Sequence, residues 1–166
     1  MEESKTLDIL KVAILLERRG KAFYKKVSQQ SENEDVRNIF ETMANEEDEH
    51  IKFLSEQYLY YSKNQSFKPL KLTQPEENTA TAILSENIKN NISAASYEAA
   101  AIASAIDMEN RAIDIYTEQA KKATDVEEKN FYRWLAKWEK GHHKILFELE
   151  QDLIEKVWED QNFWPF

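Results

Sequence analysis

The feature that most constrains the fold is a Glu-x-x-His pair that occurs twice in the chain. Glu47 and His50 form the first pair, and Glu139 and His142 form the second pair 92 positions later. Because three residues advance an α-helix by about 300°, the two side chains of each pair leave the same helical face one turn apart. The sequence therefore predicts two helices that each present a carboxylate and an imidazole on one face.

The same offset relates further positions without any gap. Glu17 corresponds to Glu109, and Tyr24 corresponds to Tyr116. Apolar positions of the two halves also match, since Phe40, Met43, Ala44 and Leu54 correspond to Tyr132, Leu135, Ala136 and Leu146. A single Glu-x-x-His pair in an acidic chain is more often a solvated helical face. Its repetition together with the earlier glutamates indicates a duplicated helical hairpin.

The composition favours long helices and excludes several classes of function. Only two Gly and three Pro occur among 166 residues, a pattern typical of helical proteins. The net charge of −9 argues against nucleic acid binding, which requires a basic face. The chain has no cysteine, so disulfides and thiolate-bound iron are excluded. With neither a signal peptide nor an apolar run of about 18 residues, the protein is expected to be soluble and cytoplasmic.

We predict one all-α domain over residues 1–166, a ferritin-like four-helix bundle built from two repeated hairpins. The first hairpin should cover about residues 4–62 and the second about residues 93–160. Residues 63–92, which contain Pro69 and Pro75, are predicted to form a long crossover between them. A chain of that length can traverse the bundle.

The repeated polar residues are of the types that bind divalent metal ions. Each glutamate lies about fifteen residues from its hairpin turn, so the set should meet in one layer near mid-bundle. Four buried carboxylates without counter-charge would be very unfavourable, and two divalent ions would balance them. The predicted metal ligands are Glu17, Glu47, His50, Glu109, Glu139 and His142. Carboxylates with imidazoles in this pattern suit iron or manganese, and zinc or cobalt can occupy such a site in vitro.

Several aromatic residues are secondary candidates. Tyr24 and Tyr116 follow the first glutamate of each hairpin by two turns on the same face. They are candidate catalytic residues, either hydrogen-bonding the site or carrying redox chemistry, and simple core packing is the alternative. Trp134 and Trp138 are predicted to pack the last helix, and His143 falls outside the repeated set.

With these residues the chain resembles the ferritin-like superfamily and, within it, the rubrerythrin-like proteins. The resemblance covers almost the whole chain and implies that the six residues bind two iron ions. It also implies oxidation of the diferrous centre by hydrogen peroxide or dioxygen, followed by re-reduction, in protection against oxidative stress. Full rubrerythrins carry a rubredoxin domain with four cysteines, so a separate electron donor such as a rubredoxin is expected here. Family members usually have another glutamate three residues after the third-helix ligand, where this chain has Ala112.

Three functions remain open from the sequence. The first is a non-haem di-iron oxidoreductase of the peroxidase type, and the second is a ferroxidase that handles iron. The third is a non-catalytic helical module with a structural metal site. A homodimer is the expected assembly because related bundles pair, and the long crossover permits exchange of hairpins between subunits.

Overall fold

Four long α-helices account for most of the chain that the structure describes. The computed structural model describes residues 2–69 and 97–160, with the side chains of residues 5–69 and 97–159. The helices are α1 (Glu2–Gln30), α2 (Glu34–Asn64), α3 (Tyr97–Lys122) and α4 (Val126–Asp160). These ranges contain no strand, and none of their helices has the length and hydropathy needed to span a bilayer. The predicted all-α bundle is confirmed.

The helix limits agree closely with the sequence pattern where both are known. The first helix begins two residues before the predicted start at about residue 4, and α2 continues two residues beyond residue 62. The predicted crossover from residue 70 onward and the aromatic residues 161–166 lie outside the described residues.

Short polar turns separate the helices of each hairpin. The Asn33 side chain accepts a hydrogen bond from the Val36 backbone N–H at 3.1 Å and so caps α2. In the second hairpin Asp125 accepts a hydrogen bond from the Glu128 backbone N–H at 2.8 Å. Because these turns are so short, α2 folds back along α1 and α4 folds back along α3.

Two sets of side-chain hydrogen bonds, to backbone or to another side chain, tie down the ends of the bundle. Glu98 at the start of α3 accepts hydrogen bonds from the Ser31 hydroxyl and the Glu32 backbone N–H, both at 3.0 Å. These bonds join the second hairpin to the turn of the first. At the end of α2, the Gln57 amide pairs with both backbone groups of Lys68 at 2.9 Å. The chain that leaves α2 is therefore held against the bundle.

Two apolar clusters fill the bundle on either side of a charged layer. The cluster nearer the α1–α2 turn includes Tyr24, Phe40, Met43, Ile102 and Leu146. The cluster nearer the α3–α4 turn includes Leu10, Leu54, Tyr116, Phe131 and Leu135. In every helix the glutamate and histidine candidates lie between the residues of these clusters. Burial of each large apolar side chain contributes about 1.5–3 kcal/mol to the stability of the bundle.

Candidate metal centre

The charged layer consists of the six residues predicted as metal ligands. Each is at most 3% exposed, although the six come from four different helices. Helices α1 and α3 each supply one glutamate, and α2 and α4 each supply a Glu-x-x-His pair. The structure thus brings every predicted ligand into one buried cluster.

The cluster divides into two overlapping groups of four donors. Site 1 comprises Glu17, Glu47, His50 and Glu139, and site 2 comprises Glu47, Glu109, Glu139 and His142. Within each group, one ligand atom per residue lies within 4.8 Å of the others. Glu47 and Glu139 belong to both sites, so each site takes three residues from one hairpin and one from the other. Neither hairpin can complete a four-donor group alone.

Both imidazoles direct their Nδ1 atoms into the cluster. His50 Nδ1 lies 3.0 Å from a Glu17 oxygen and 2.9 Å from a Glu139 oxygen. His142 Nδ1 lies 3.4 Å from Glu109 and 3.3 Å from Glu139. Yet His142 Nδ1 and Glu139 Oε1 have no hydrogen bond of acceptable geometry within the described residues. Buried polar atoms left in this way need another partner, and a metal ion would supply one.

Tyr24 and Tyr116 connect the two hairpins reciprocally. The hydroxyl of Tyr24 on α1 donates to Glu109 on α3, and the hydroxyl of Tyr116 on α3 donates to Glu17 on α1. Both tyrosines are almost completely buried. Glu17 and Glu109 each belong to one site only and are called here the terminal glutamates. Each of them is thereby oriented by a tyrosine of the other hairpin. Among the alternatives open from the sequence, the structure favours hydrogen bonding to the site over simple packing.

Burial and mutual repulsion set the protonation of the four carboxyl groups in the absence of metal. Burial raises the pKa of Glu17 well above its ordinary value, and repulsion by Glu139 and Glu47 adds to the rise. Burial and the charge of Glu139 raise the pKa of Glu109 to about 8. Burial opposes ionisation of Glu47 and Glu139 too, but hydrogen bonds and the histidine charges lower their pKa values. The environment therefore favours the ionised form of the shared glutamates and the neutral form of Glu17 and Glu109.

The two histidines carry the compensating positive charge. Burial alone would lower their pKa values, but the surrounding carboxylates outweigh it and raise both well above the ordinary value. Glu139 is the main cause for His50, and Glu109 is the main cause for His142. The protonated form of both histidines is thus favoured beside the ionised glutamates. A metal ion bound by these residues would have to displace protons from them.

The donor set fits two divalent cations. No lysine or arginine is buried in the described part of the chain, so no other cationic side chain can neutralise this layer from within. Each site offers three carboxylates and one imidazole nitrogen. Hard oxygen donors with imidazole are the ligands that iron and manganese accept in proteins. Two divalent ions would supply four positive charges, which match the four carboxylates of the layer.

A small cavity lies beside the carboxylates, on the side of α1 and α3. Its volume is about 20 Å³, and its wall includes Leu16, Gly20, Met108, Ala112 and all four glutamates. That volume has room for about one water-sized molecule. Gly20 and Ala112 are equivalent positions of the repeat. Gly20 has no side chain and Ala112 has only a methyl group, so this space stays open. The position of the additional family glutamate therefore lies at the cavity wall.

One residue of the site was missed by the sequence analysis. Glu46 on α2 accepts a hydrogen bond from His142 Nε2 at 2.5 Å and another from Trp138 Nε1 at 3.4 Å. Its equivalent in the repeat is Trp138, so the offset that identifies the six cluster residues does not identify this one. Glu46 lies four residues before His50, so both residues share one face of α2. In an acidic chain this spacing alone is weak evidence that Glu46 belongs to the site.

The remaining aromatic candidates lie around the cluster. Trp134 is buried and packs edge-on against Trp138, with ring centroids 5.1 Å apart. His143 is half-buried and stacks on Phe147 at 5.9 Å. Neither Trp134 nor His143 contributes a donor atom to either site.

Comparison with known proteins agrees with this architecture. No curated protein and no solved structure matches the chain. The sequence model of the Rubrerythrin family, however, matches residues 8–150, a range that includes the whole charged layer. Together with the four-helix bundle and its duplicated Glu-x-x-His pairs, this match shows that the chain belongs to the rubrerythrin family.

Proposed function

We propose that the protein binds two iron ions in the charged layer and reduces hydrogen peroxide or dioxygen with electrons from a separate donor. The observation that carries the proposal is the sharing of Glu47 and Glu139 between site 1 and site 2. Shared carboxylates hold two ions side by side, where both can act on one small molecule. Membership of the rubrerythrin family favours iron, although the donor set also accepts manganese.

The proposed reaction needs two electrons at one place. When bound, two ferrous ions would supply the two electrons that, with two protons, convert hydrogen peroxide into two water molecules. The chain itself holds the ligands in a buried layer between two apolar clusters. The adjoining cavity of about 20 Å³ supports a small oxidant rather than an organic substrate.

The two tyrosines position the terminal carboxylates for this role. Burial and the neighbouring glutamates raise the pKa of both hydroxyls well above the ordinary value, so both stay protonated at neutral pH. Tyr24 and Tyr116 therefore remain hydrogen-bond donors to Glu109 and Glu17. A redox role for either tyrosine is a further prediction, to be tested by trapping an oxidised tyrosine during turnover.

The partners of the reaction follow from the composition of the chain. The 166 residues contain no cysteine and so hold no thiolate-bound iron, and we propose a rubredoxin as the source of the electrons for re-reduction. A cytoplasmic homodimer, with or without exchanged hairpins, remains the predicted assembly. Light scattering of the purified protein measures this directly, and a mass equal to one chain would contradict it.

The first test is the metal content of protein reconstituted with ferrous iron, followed by stopped-flow oxidation. We expect two iron ions per chain, a change in near-ultraviolet absorption on oxidation, and faster oxidation by hydrogen peroxide than by dioxygen. Turnover should require a reductant and an electron donor such as rubredoxin. Glu139→Gln serves as the inactive control because it removes a charge from both sites.

Other outcomes would select the remaining functions. Continued oxidation of ferrous iron added far beyond two per chain would indicate a ferroxidase. Stable metal binding without any reaction with either oxidant would indicate a structural site. Failure to bind any metal after reconstitution would reject the whole proposal.

A further inference from the structure

The two histidines of the charged layer have different surroundings outside the layer, although the repeat places them equivalently. Behind His142 lies the carboxylate of Glu46, which accepts a hydrogen bond from Nε2 at 2.5 Å. The position equivalent to Glu46 in the second hairpin is Trp138, which is the residue that lies behind His50. The repeat is therefore broken at the contacts that orient the imidazoles.

His50 has aromatic rings where His142 has a carboxylate. The Trp138 ring meets the His50 ring edge-on with centroids 4.7 Å apart, and Trp134 lies at 6.2 Å. His50 Nε2 is buried and has no hydrogen-bond partner among the described residues. The Trp138 N–H points instead toward Glu46, at 3.4 Å.

This difference determines how well each imidazole can serve a metal ion. Both histidines direct Nδ1 into the cluster, so the neutral ligand form carries its proton on Nε2. A carboxylate that accepts a hydrogen bond from this Nε2–H fixes the tautomer and the ring orientation. It also makes Nδ1 a stronger ligand for a metal ion. Glu46 does this for His142, whereas nothing in the described structure does it for His50.

We propose that Glu46 is a positioning residue for His142 and that the two metal sites are consequently inequivalent. Site 2, which contains His142, binds its ion first and more tightly than site 1. Partners of this kind typically change metal affinity by about 10–100-fold, and we expect a difference of that order. The inference rests on the proposed binding of two ions but does not depend on iron or on any reaction.

The test is titration of metal-free protein with Co²⁺ in competition with a chelator. The visible ligand-field bands report the surroundings of each ion as it binds. The unmodified protein should bind two ions in two steps whose affinities differ by about 10–100-fold. Glu46→Ala should weaken the tighter step by a similar factor and change its bands, because His142 loses its partner. Glu46→Gln keeps a hydrogen-bond acceptor and should recover part of the loss.

Two further variants separate this role from general effects. Glu49→Ala removes an exposed carboxylate from the same helix and should change neither step, which controls for charge. Trp138→Phe keeps an aromatic ring beside His50 and removes only the long bond to Glu46, so the tighter step should also persist. Variants that lack one histidine allow the affinities of the two sites to be compared directly. His50→Ala should retain the tighter site 2, and His142→Ala should retain the weaker site 1.

The outcomes distinguish this inference from the proposed function. Two equal steps in the unmodified protein, or an unchanged tighter step in Glu46→Ala, would overturn the inequivalence while leaving the two-metal site intact. Absence of Co²⁺ binding to the unmodified protein would reject the metal site itself. Circular dichroism of each metal-free variant shows whether the helices have formed, and Glu46→Gln supplies the comparison if the alanine variant has lost helix.

Discussion

The α1–α2 hairpin and the α3–α4 hairpin supply the same donors to the charged layer but surround them with different residues. Their glutamates and histidines meet in one layer, and each hairpin supplies a donor to both sites. The residues behind the histidines also make contacts between the hairpins, but there Glu46 in one hairpin corresponds to Trp138 in the other. The duplicated fold thus keeps its symmetry in the donor set and loses it one contact further out.

A second contrast lies within the donor set itself. Glu47 and Glu139 each belong to both sites, whereas Glu17 and Glu109 each belong to one. The pKa values of the shared glutamates are lowered, and burial raises those of Glu17 and Glu109 in the absence of metal. The four glutamates therefore occupy two different environments, and substitutions should separate their effects.

The largest expected effect is the loss of metal from variants of the shared glutamates. Glu47→Gln or Glu139→Gln removes a charged donor from both sites, so we expect neither ion to be retained after gel filtration. Glu17→Gln or Glu109→Gln affects one site and should leave about one ion per chain. Elemental analysis after reconstitution with ferrous iron measures the difference. Equal losses from shared and terminal variants would show that the two pairs do not differ in function.

The second prediction concerns pH. In the metal-free protein, the folded-state pKa of Glu109 is about 8 against an ordinary 4.5, and those of Glu17 and both histidines are also raised. Between pH 4.5 and pH 8 the folded state binds more protons than the unfolded state, because Glu109 keeps its proton only when it is buried. The free energy of unfolding therefore falls as pH rises. The melting temperature of metal-free protein should therefore decrease from about pH 6 to pH 8.5.

The affinity for metal should depend on pH in the opposite direction to the stability of the metal-free protein. Bound metal ions would displace protons near pH 7, and affinity should rise with pH because fewer protons then remain to be displaced. Calorimetric titration in buffers with different ionisation enthalpies counts the released protons. A proton count near zero would mean that the cluster is already deprotonated in the absence of metal, contrary to the raised pKa values.

The tyrosines allow the two sites to be weakened one at a time. Tyr24→Phe removes the donor to Glu109 and should weaken site 2, while Tyr116→Phe should weaken site 1 through Glu17. A buried hydrogen bond to a charged group contributes about 1.5–3 kcal/mol, which corresponds to roughly 10–100-fold in affinity. Co²⁺ titration distinguishes the two cases, since Tyr24→Phe should affect the tighter step. If each variant affected the site of its own hairpin, the reciprocal contacts would be wrong.

The sequence predicted those parts of the molecule that obey the repeat. Helical periodicity placed the glutamates and histidines on inward faces, and equal spacing from the hairpin turns brought them to one height. Glu46 could not be found in this way because its counterpart is a tryptophan. Nor could the partners of Tyr24 and Tyr116, since the distance between α1 and α3 decides which glutamate each hydroxyl reaches. Periodicity determines which face a residue occupies, and packing determines what it contacts there.

The smallest expected effects come from the only two glycines, one in each hairpin. Gly141 lies within α4, is exposed, and a Cβ there would meet nothing within 4 Å. Gly141→Ala should therefore stabilise the protein by up to about 1 kcal/mol through helix propensity alone. For a chain of this length, that corresponds to a rise of about 2–4 °C in melting temperature. The rate of peroxide reduction should not change.

Gly20→Ala provides the contrasting case because it changes the same propensity beside the cavity. Its Cβ would lie 3.6 Å from the Glu47 carboxyl carbon, an ordinary contact, so a similar gain in stability is expected. The added methyl group also reduces a cavity of only about 20 Å³, and oxidation of the reduced protein should slow severalfold. Thermal melting and stopped-flow kinetics measured on both variants separate the two effects. An unchanged oxidation rate in Gly20→Ala would show that the oxidant reaches the carboxylates by another route.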